Sequence, residues 1–158
     1  MSNQLIELPK EIGNLTNLVT LDISLTQLKT LPKEIGNLTQ LTRLRLLMNE
    51  LTTIPKEIGS LSNLTSLWLS FNQLTAIPKE IGNLHKLREL DLLANQLTLL
   101  PKEIGKLTNL KWLTLMENDW LFPIDKSYND ILRNDETRWN MRIKYNQSTK
   151  KVEITIIN

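Results

Sequence analysis

Few residues in this chain have the types and spacing that catalysis or metal binding would require. His85 is the single histidine and there is no cysteine, so thiolate nucleophiles, disulfides and cysteine metal sites are excluded. A histidine acts as a general base beside a nucleophile, and none accompanies His85. Asp22 and Asp91 fall three periods apart in a repeated pattern, about 14 Å at ~4.8 Å per strand, which is too far for a carboxylate pair or a shared metal. The sequence predicts a non-enzymatic protein with no catalytic residue, metal or cofactor.

Binding chemistry is better represented, and it centres on Trp68. One period earlier lie Arg43 and Arg45, and one period later lie Glu89 and Asp91. Tryptophan and arginine are the residue types most enriched among binding hot spots, and exposed apolar patches mark interaction sites. The alternative is that these side chains only cover one another, with charged pairs worth about 0–1 kcal/mol each. The predicted binding surface comprises Arg43, Arg45, Leu47, Met48, Trp68, Phe71, Glu89, Asp91, Leu93, Trp112 and Met116.

A motif with a fixed period positions these residues. The string Leu-Pro-Lys-Glu-Ile-Gly, or Ile-Pro-Lys-Glu-Ile-Gly, occurs at intervals of 23 residues. Such a period is typical of a solenoid, in which each repeat buries its apolar edge against its neighbours. The proline suits the first position of a helical turn, and we expect the glycine to end that turn in a left-handed conformation. The prolines of the motif are Pro9, Pro32, Pro55, Pro78 and Pro101.

Between the prolines lies the pattern Leu-x-x-Leu-x-Leu-x-x-Asn-x-Leu. Leu67 and Leu69 lie two residues apart and therefore share the inner face of a short strand, whereas Trp68 faces outward. The asparagine amide both donates and accepts, so we expect it to bind backbone groups of its own and the next repeat. Thr26 takes this position in the first full repeat, which we expect to be looser. The asparagines of the ladder are Asn49, Asn72, Asn95 and Asn118.

This pattern is identified as the leucine-rich repeat signature. The Leu-Pro-x-Glu-Ile-Gly-x-Leu form resembles the Ras-group leucine-rich repeat proteins of plants and animals, and is still more similar to bacterial leucine-rich repeat proteins built from this unit. The resemblance covers about residues 3–118. It implies an α/β repeat solenoid, an arc with a parallel concave β-sheet and short 3₁₀ or α turns on the convex side. For function it implies a protein-interaction scaffold, because the consensus residues are structural.

The period fails after Asn118. We therefore assign residues 1–118 to the repeat array, with one partial N-terminal repeat and about five repeats, and 119–158 to a capping segment. In that segment, residues 128–134 suit a short helix. Alternating apolar residues over 139–145 and 152–156 predict a β-hairpin that caps the last repeat. The alternative is that 152–156 begin a further array.

Composition constrains the partner and the location. The formal net charge is +2, with acidic and basic residues interspersed, which argues against nucleic-acid binding. No apolar stretch is long enough to span a membrane. The first four residues lack the charged and apolar blocks of a secretory signal. This slightly favours the cytoplasm, and a secreted location stays open if a signal has been removed.

The leading hypothesis is a scaffold that binds a protein or peptide on its concave face. One rival is a self-assembling structural or surface repeat protein, which would use the open sheet edge near residues 18–23. A second rival is the recognition fragment of a larger signalling or effector protein, such as a kinase or a bacterial ubiquitin-ligase effector.

Overall fold

The structure is a computed structural model that describes residues 5–119 and the backbone of 141–146 and 151–156. Within 5–119, short strands alternate with single 3₁₀ helices, as a 23-residue period with a strand and a crossover in each repeat requires. The strands are β1 (Thr20–Asp22), β2 (Arg43–Arg45), β3 (Ser66–Trp68), β4 (Glu89–Asp91) and β5 (Trp112–Thr114). The 3₁₀ helices are Lys10–Asn14, Lys33–Asn37, Lys56–Ser60, Lys79–Asn83 and Lys102–Lys106.

The five strands form one parallel sheet in the order β1-β2-β3-β4-β5. Each strand residue pairs with the residue one period later, so that Trp68 of β3 lies between Arg45 of β2 and Asp91 of β4. Parallel neighbours need a crossover connection, and the 3₁₀ helices on the opposite side of the array supply it. The predicted leucine-rich repeat solenoid is confirmed.

The core is a continuous row of leucine and isoleucine side chains between the sheet and the 3₁₀ helices. Leu67 and Leu69 of the β3 repeat are fully buried, as are Ile58 and Leu61 of the preceding turn. The inward positions predicted for Leu67 and Leu69 from their two-residue spacing are therefore correct. Apolar side chains of the first repeat, such as Leu21, are only partly buried against this core.

The asparagine ladder forms, although each amide binds the preceding repeat and not the next one as predicted. The Nδ2 of Asn72 donates to the carbonyls of Leu46, Leu69 and Ser70 at 2.9, 3.0 and 3.4 Å, and its Oδ1 accepts the Leu51 N–H at 3.0 Å. Each amide thus joins its own turn to the preceding repeat. Thr26, in the first full repeat, makes a single side-chain bond, from its hydroxyl to the ladder amide of the next repeat. The asparagines with the same four bonds are Asn49, Asn72, Asn95 and Asn118.

The predicted left-handed role of the glycines is wrong, since no glycine of the motif has a positive φ. Glycine is required there because adjacent 3₁₀ helices approach too closely for a side chain. A Cβ on Gly59 would lie 2.5 Å from the Glu80 carbonyl oxygen and 2.8 Å from its Cβ. The glycine therefore sets the spacing between repeats.

The left-handed backbone occurs instead in the turn just after each strand. The residue before each ladder position has a φ between 53° and 60°. Met48 and Phe71 therefore lie in turns and not in strands. Each strand is only three residues long, and the chain turns sharply after it so that the following ladder residue points into the interior. The residues concerned are Leu25, Met48, Phe71, Ala94 and Glu117.

The predicted C-terminal β-hairpin is present. Strands β6 (Met141–Asn146) and β7 (Lys151–Ile156) pair antiparallel, and β7 contacts β5 at the end of the array. Antiparallel pairing with β6 is unlike the parallel pairing of the repeats, which contradicts the alternative of a further array starting at residue 152. The helix predicted over 128–134 lies outside the described residues, and the boundary between the array and the capping segment stays a prediction.

Candidate binding groove on the concave sheet

Trp68 lies at the centre of the sheet with its ring half-buried on the concave face. The Cζ of Arg45 lies 4.2 Å from the centroid of that ring, a cation–π contact worth about 0.5–1 kcal/mol at an exposed site. The Nη1 of Arg45 also lies 3.6 Å from the Oδ2 of Asp22 on β1. Its Nε is buried without a hydrogen-bond partner within residues 5–119. Arg45 is therefore held between Asp22 and Trp68.

Asp22 is fixed by a local turn as well as by that arginine. The hydroxyl and the backbone N–H of Ser24 donate to its Oδ1 at 2.6 and 3.1 Å. These bonds favour the carboxylate, so the hydroxyl of Ser24 first, then its backbone N–H and the Arg45 charge, lower the pKa of Asp22 below its usual 3.8 despite some burial. The carboxylate of Asp22 is thus held by Ser24 and by the Arg45 guanidinium within the sheet.

Trp68 also lines a groove with residues of β4 and β5. This depression, which we name the aromatic groove, has a volume of about 450 Å³. Register explains its composition, because Asp91 pairs with Trp68 across β3 and β4, and Glu89 pairs with Trp112 across β4 and β5. Its walls are therefore two tryptophans separated by two carboxylates. The lining residues are Leu47, Trp68, Glu89, Asp91 and Trp112.

Asp91 lies deeper than an outward strand position suggests. It is 8% exposed, and its Oδ1 accepts the N–H of Leu93 at 3.1 Å. Within residues 5–119, ion pairs join Lys29 to Glu50 and Arg45 to Asp22, and none reaches Asp91 or Glu89. The groove therefore has an acidic floor that no cation of the described repeats neutralises.

Two serines lie beside Trp68 on the same strand face, although neither lines the aromatic groove. Ser66 and Ser70 lie two residues before and two residues after Trp68, on the same face, and both are buried. Small side chains at these positions leave space for larger neighbours to cover them.

The predicted binding surface divides between the groove and its surroundings. Five of its members line the groove, and Arg45 contacts Trp68 from the β2 side. Arg43 is exposed and pairs in register with Ser66. The remaining members, outside the groove lining, are Met48, Phe71, Leu93 and Met116, of which Leu93 is half-buried and the others are exposed.

Other classes of site find no support in the described part of the chain. His85 is exposed in a loop, where its carbonyl accepts a bond from Asn109. Within 5–119, no three histidine, aspartate or glutamate side chains converge as metal ligands would. Among the described residues, no helix has the length and apolarity needed to cross a membrane.

Comparison with known proteins supports the assignment of the fold. The family model "Leucine-rich repeat region" matches residues 1–76, and "Leucine rich repeat" matches 62–119. Neither describes an enzyme. No curated protein matches the sequence significantly.

Three solved structures illustrate the similarity. A leucine-rich repeat protein of Leptospira interrogans is 41% identical with a TM-score of 0.63, over 78% of this chain and 37% of that one. The ectodomain of the receptor kinase GASSHO1/SCHENGEN3 from Arabidopsis thaliana, in complex with Casparian strip integrity factor 2, is 36% identical with a TM-score of 0.69, over 79% and 16%. An internalin of Listeria monocytogenes is 31% identical with a TM-score of 0.64, over 75% and 34%.

The chain thus spans 37% or less of each of these three structures. The period, the parallel sheet, the amide ladder and both family models agree over the repeat array. This chain belongs to the leucine-rich repeat family.

Proposed function

We propose that the chain is a non-enzymatic scaffold that binds a protein or peptide on its concave face, centred on Trp68. The observation that carries the proposal is the aromatic groove, in which two tryptophans flank carboxylates that have no ion pair within residues 5–119. A groove of this composition combines apolar area with polar groups that fix orientation, as binding sites do. Large aromatic side chains also lose little conformational entropy on binding.

The surroundings of the groove extend the apolar area. Trp112 and Met116 are exposed large apolar side chains in or just after β5, and Met48 and Phe71 are exposed in the turns that follow β2 and β3. Contiguous exposed apolar residues with a polar rim mark interaction sites. The exposed Arg43 supplies part of that rim. A standard interface needs about 800 Å² from each partner, and a sheet of five strands offers an extended surface for it.

The solved relatives provide a precedent for this use of the fold. The Arabidopsis receptor ectodomain, which is 36% identical, was solved in complex with Casparian strip integrity factor 2. We extend from it only the general class of partner, a protein or peptide. The identity of the partner is set by the variable strand residues, which differ from repeat to repeat here.

The test is affinity capture with the Trp68→Ala variant. Wild-type protein and the variant are immobilised, and bound proteins are quantified by mass spectrometry. We expect the variant to lose the specific partners, because the largest apolar contact of the groove is removed, while circular dichroism shows a retained fold. Leu99→Ala is the matched control, since Leu99 is an exposed apolar residue outside the groove. Equal capture by wild type, Trp68→Ala and Phe71→Ala would overturn the concave site.

A competing proposal is self-association through β1. This strand is at the edge of the sheet, and Val19 and Leu25 beside it are exposed. Unpaired strand edges pair readily with other chains. Light scattering over a concentration series distinguishes the two proposals. A size that grows with concentration and returns to monomer in Val19→Lys favours self-association, and a monomer at all concentrations argues against it.

A further inference from the structure

We propose that the aromatic groove takes a basic side chain of the partner, an arginine or a lysine. The inference rests on the proposed function, because it specifies what the concave face recognises. The partner would therefore be a protein or peptide that presents a cationic residue to the sheet between β3 and β5.

The geometry of the walls suits an elongated cation. Trp68 and Trp112 stand on β3 and β5, two strand spacings or about 9.6 Å apart across the sheet, with β4 between them. They are also offset by two residues along the strands, because Trp68 is in register with Asp91 and Trp112 with Glu89. That separation leaves room for one side chain between the two rings. The half-buried Leu47 also lines the groove, where it offers apolar contact to the methylene stem of an arginine or lysine. Tryptophan is the best aromatic acceptor of a cation.

The negative charges of the two carboxylates on the floor of the groove favour a positively charged group of the partner. Asp91 is 8% exposed, and within residues 5–119 the one hydrogen bond to its carboxylate is from the Leu93 N–H. Glu89 and Asp91 have no ion pair within residues 5–119. A buried carboxylate without a cation is costly, and a partner's guanidinium or ammonium group would supply the missing charge. An acidic side chain would be repelled, and an apolar one would leave Asp91 uncompensated.

The nearest cation of the protein itself is committed elsewhere. Arg45 contacts the Trp68 ring from β2 and pairs with Asp22 on β1, on the side of Trp68 away from β4. It therefore does not neutralise the floor of the groove. Its contact also shows that the Trp68 ring accepts a guanidinium at 4.2 Å.

The test uses a display library of random linear peptides, selected on wild-type protein and counter-selected on Trp68→Ala. We expect the Trp68-dependent peptides to be enriched in arginine or lysine relative to the library. A representative peptide should bind the double variant Glu89→Gln/Asp91→Asn about tenfold more weakly, and lose a similar factor when its basic residue becomes glutamine. Circular dichroism and thermal unfolding confirm that the double variant is folded.

The matched control is Glu7→Gln/Glu11→Gln, which removes two exposed carboxylates outside the groove. It should bind the same peptide as tightly as the wild type. Trp68-dependent peptides without basic enrichment would overturn the inference while the proposed function stands. Equal binding by the groove double variant, or equal loss in the control, would also overturn it. Recovery of no Trp68-dependent peptide would overturn both the inference and the proposed function.

Discussion

At the residue scale, the turn after each strand places the strictest demands on side-chain chemistry. A residue with a positive φ bends the chain. In the repeats after the first, the next residue is an asparagine whose amide fills the bend. At Asn72, that amide binds three carbonyls and one N–H that the protein interior shields from water. Few side chains both donate and accept at this size. The ladder asparagine is therefore a structural residue and not a ligand for a partner.

Replacing a central ladder amide should be costly. Asn72→Ala leaves buried backbone groups without partners, at about 1–3 kcal/mol each. We expect a loss of about 3 kcal/mol or more in the free energy of unfolding, measured by urea denaturation. Asn63→Ala is the control, because the less buried Asn63 donates only to the Thr39 carbonyl and accepts from Lys86. Similar losses in the two variants would contradict the structural role of the ladder.

The left-handed positions should be open to improvement. Leu25 has a φ of 60° and is 66% exposed, and such a conformation costs about 1–2 kcal/mol for an ordinary L-residue but less for asparagine. We expect Leu25→Asn to raise the free energy of unfolding by about 0.5–1 kcal/mol. Leu99→Asn should give no gain, since Leu99 is similarly exposed at 53% but has no positive φ. An equal gain in both variants would assign the effect to lost surface hydrophobicity.

At the element scale, the 3₁₀ helices act as spacers between neighbouring strands. In each, the residue before the helix is a proline in extended conformation, which fixes the entry of the chain. The glycine then lets the carbonyl of the next helix approach directly. Adjacent strands in a sheet need a spacing of about 4.8 Å. The distance between neighbouring 3₁₀ helices on the convex side then determines how strongly the array curves.

A single methyl group at this position should disturb the stacking. Gly59→Ala places a Cβ 2.5 Å from the Glu80 carbonyl oxygen, so the helices must move apart at a cost of about 1–3 kcal/mol. Chemical denaturation measures the loss. Ser60→Ala, at the exposed end of the same helix, should change stability by less than about 0.5 kcal/mol. A harmless Gly59→Ala would show that the interface between helices relaxes freely.

The repeated elements were predictable from the sequence because their spacing is copied five times. The strand around Leu67, the crossover around Ile58 and the amide ladder all follow from one period. The requirement for glycine in each 3₁₀ helix could not be predicted in this way. It arises because the next helix packs closely against the glycine, and that distance depends on how the repeats stack. The burial of Asp91 was likewise hidden, because alternation predicts which face a residue takes but not how far neighbouring tryptophans cover it.

At the scale of the whole molecule, stability is transmitted from repeat to repeat. Within the five-stranded sheet, each strand pairs only with the strands before and after it, so the array behaves nearly as a one-dimensional stack. The central repeats have fully buried leucines, whereas Leu18 and Leu21 of the first full repeat are only partly buried. The aromatic groove lies over β3 to β5, on the better-buried part of the stack.

This gradient should be visible in amide hydrogen exchange. The N–H groups of Ile23, Leu46 and Leu69 occupy equivalent places and donate to the next strand at 2.9, 2.9 and 2.8 Å, so hydrogen-bond length does not separate them. Ile23 follows the edge strand β1, whereas Leu69 follows the central strand β3. Because an end repeat opens by breaking one interface and a central repeat by breaking two, we expect Ile23 to exchange at least about tenfold faster, equivalent to about 1.4 kcal/mol. Exchange resolved by NMR measures this directly, with Leu46 expected between the two. Equal rates at all three amides would show that the array opens as a single cooperative unit and that the edge is no weaker than the centre.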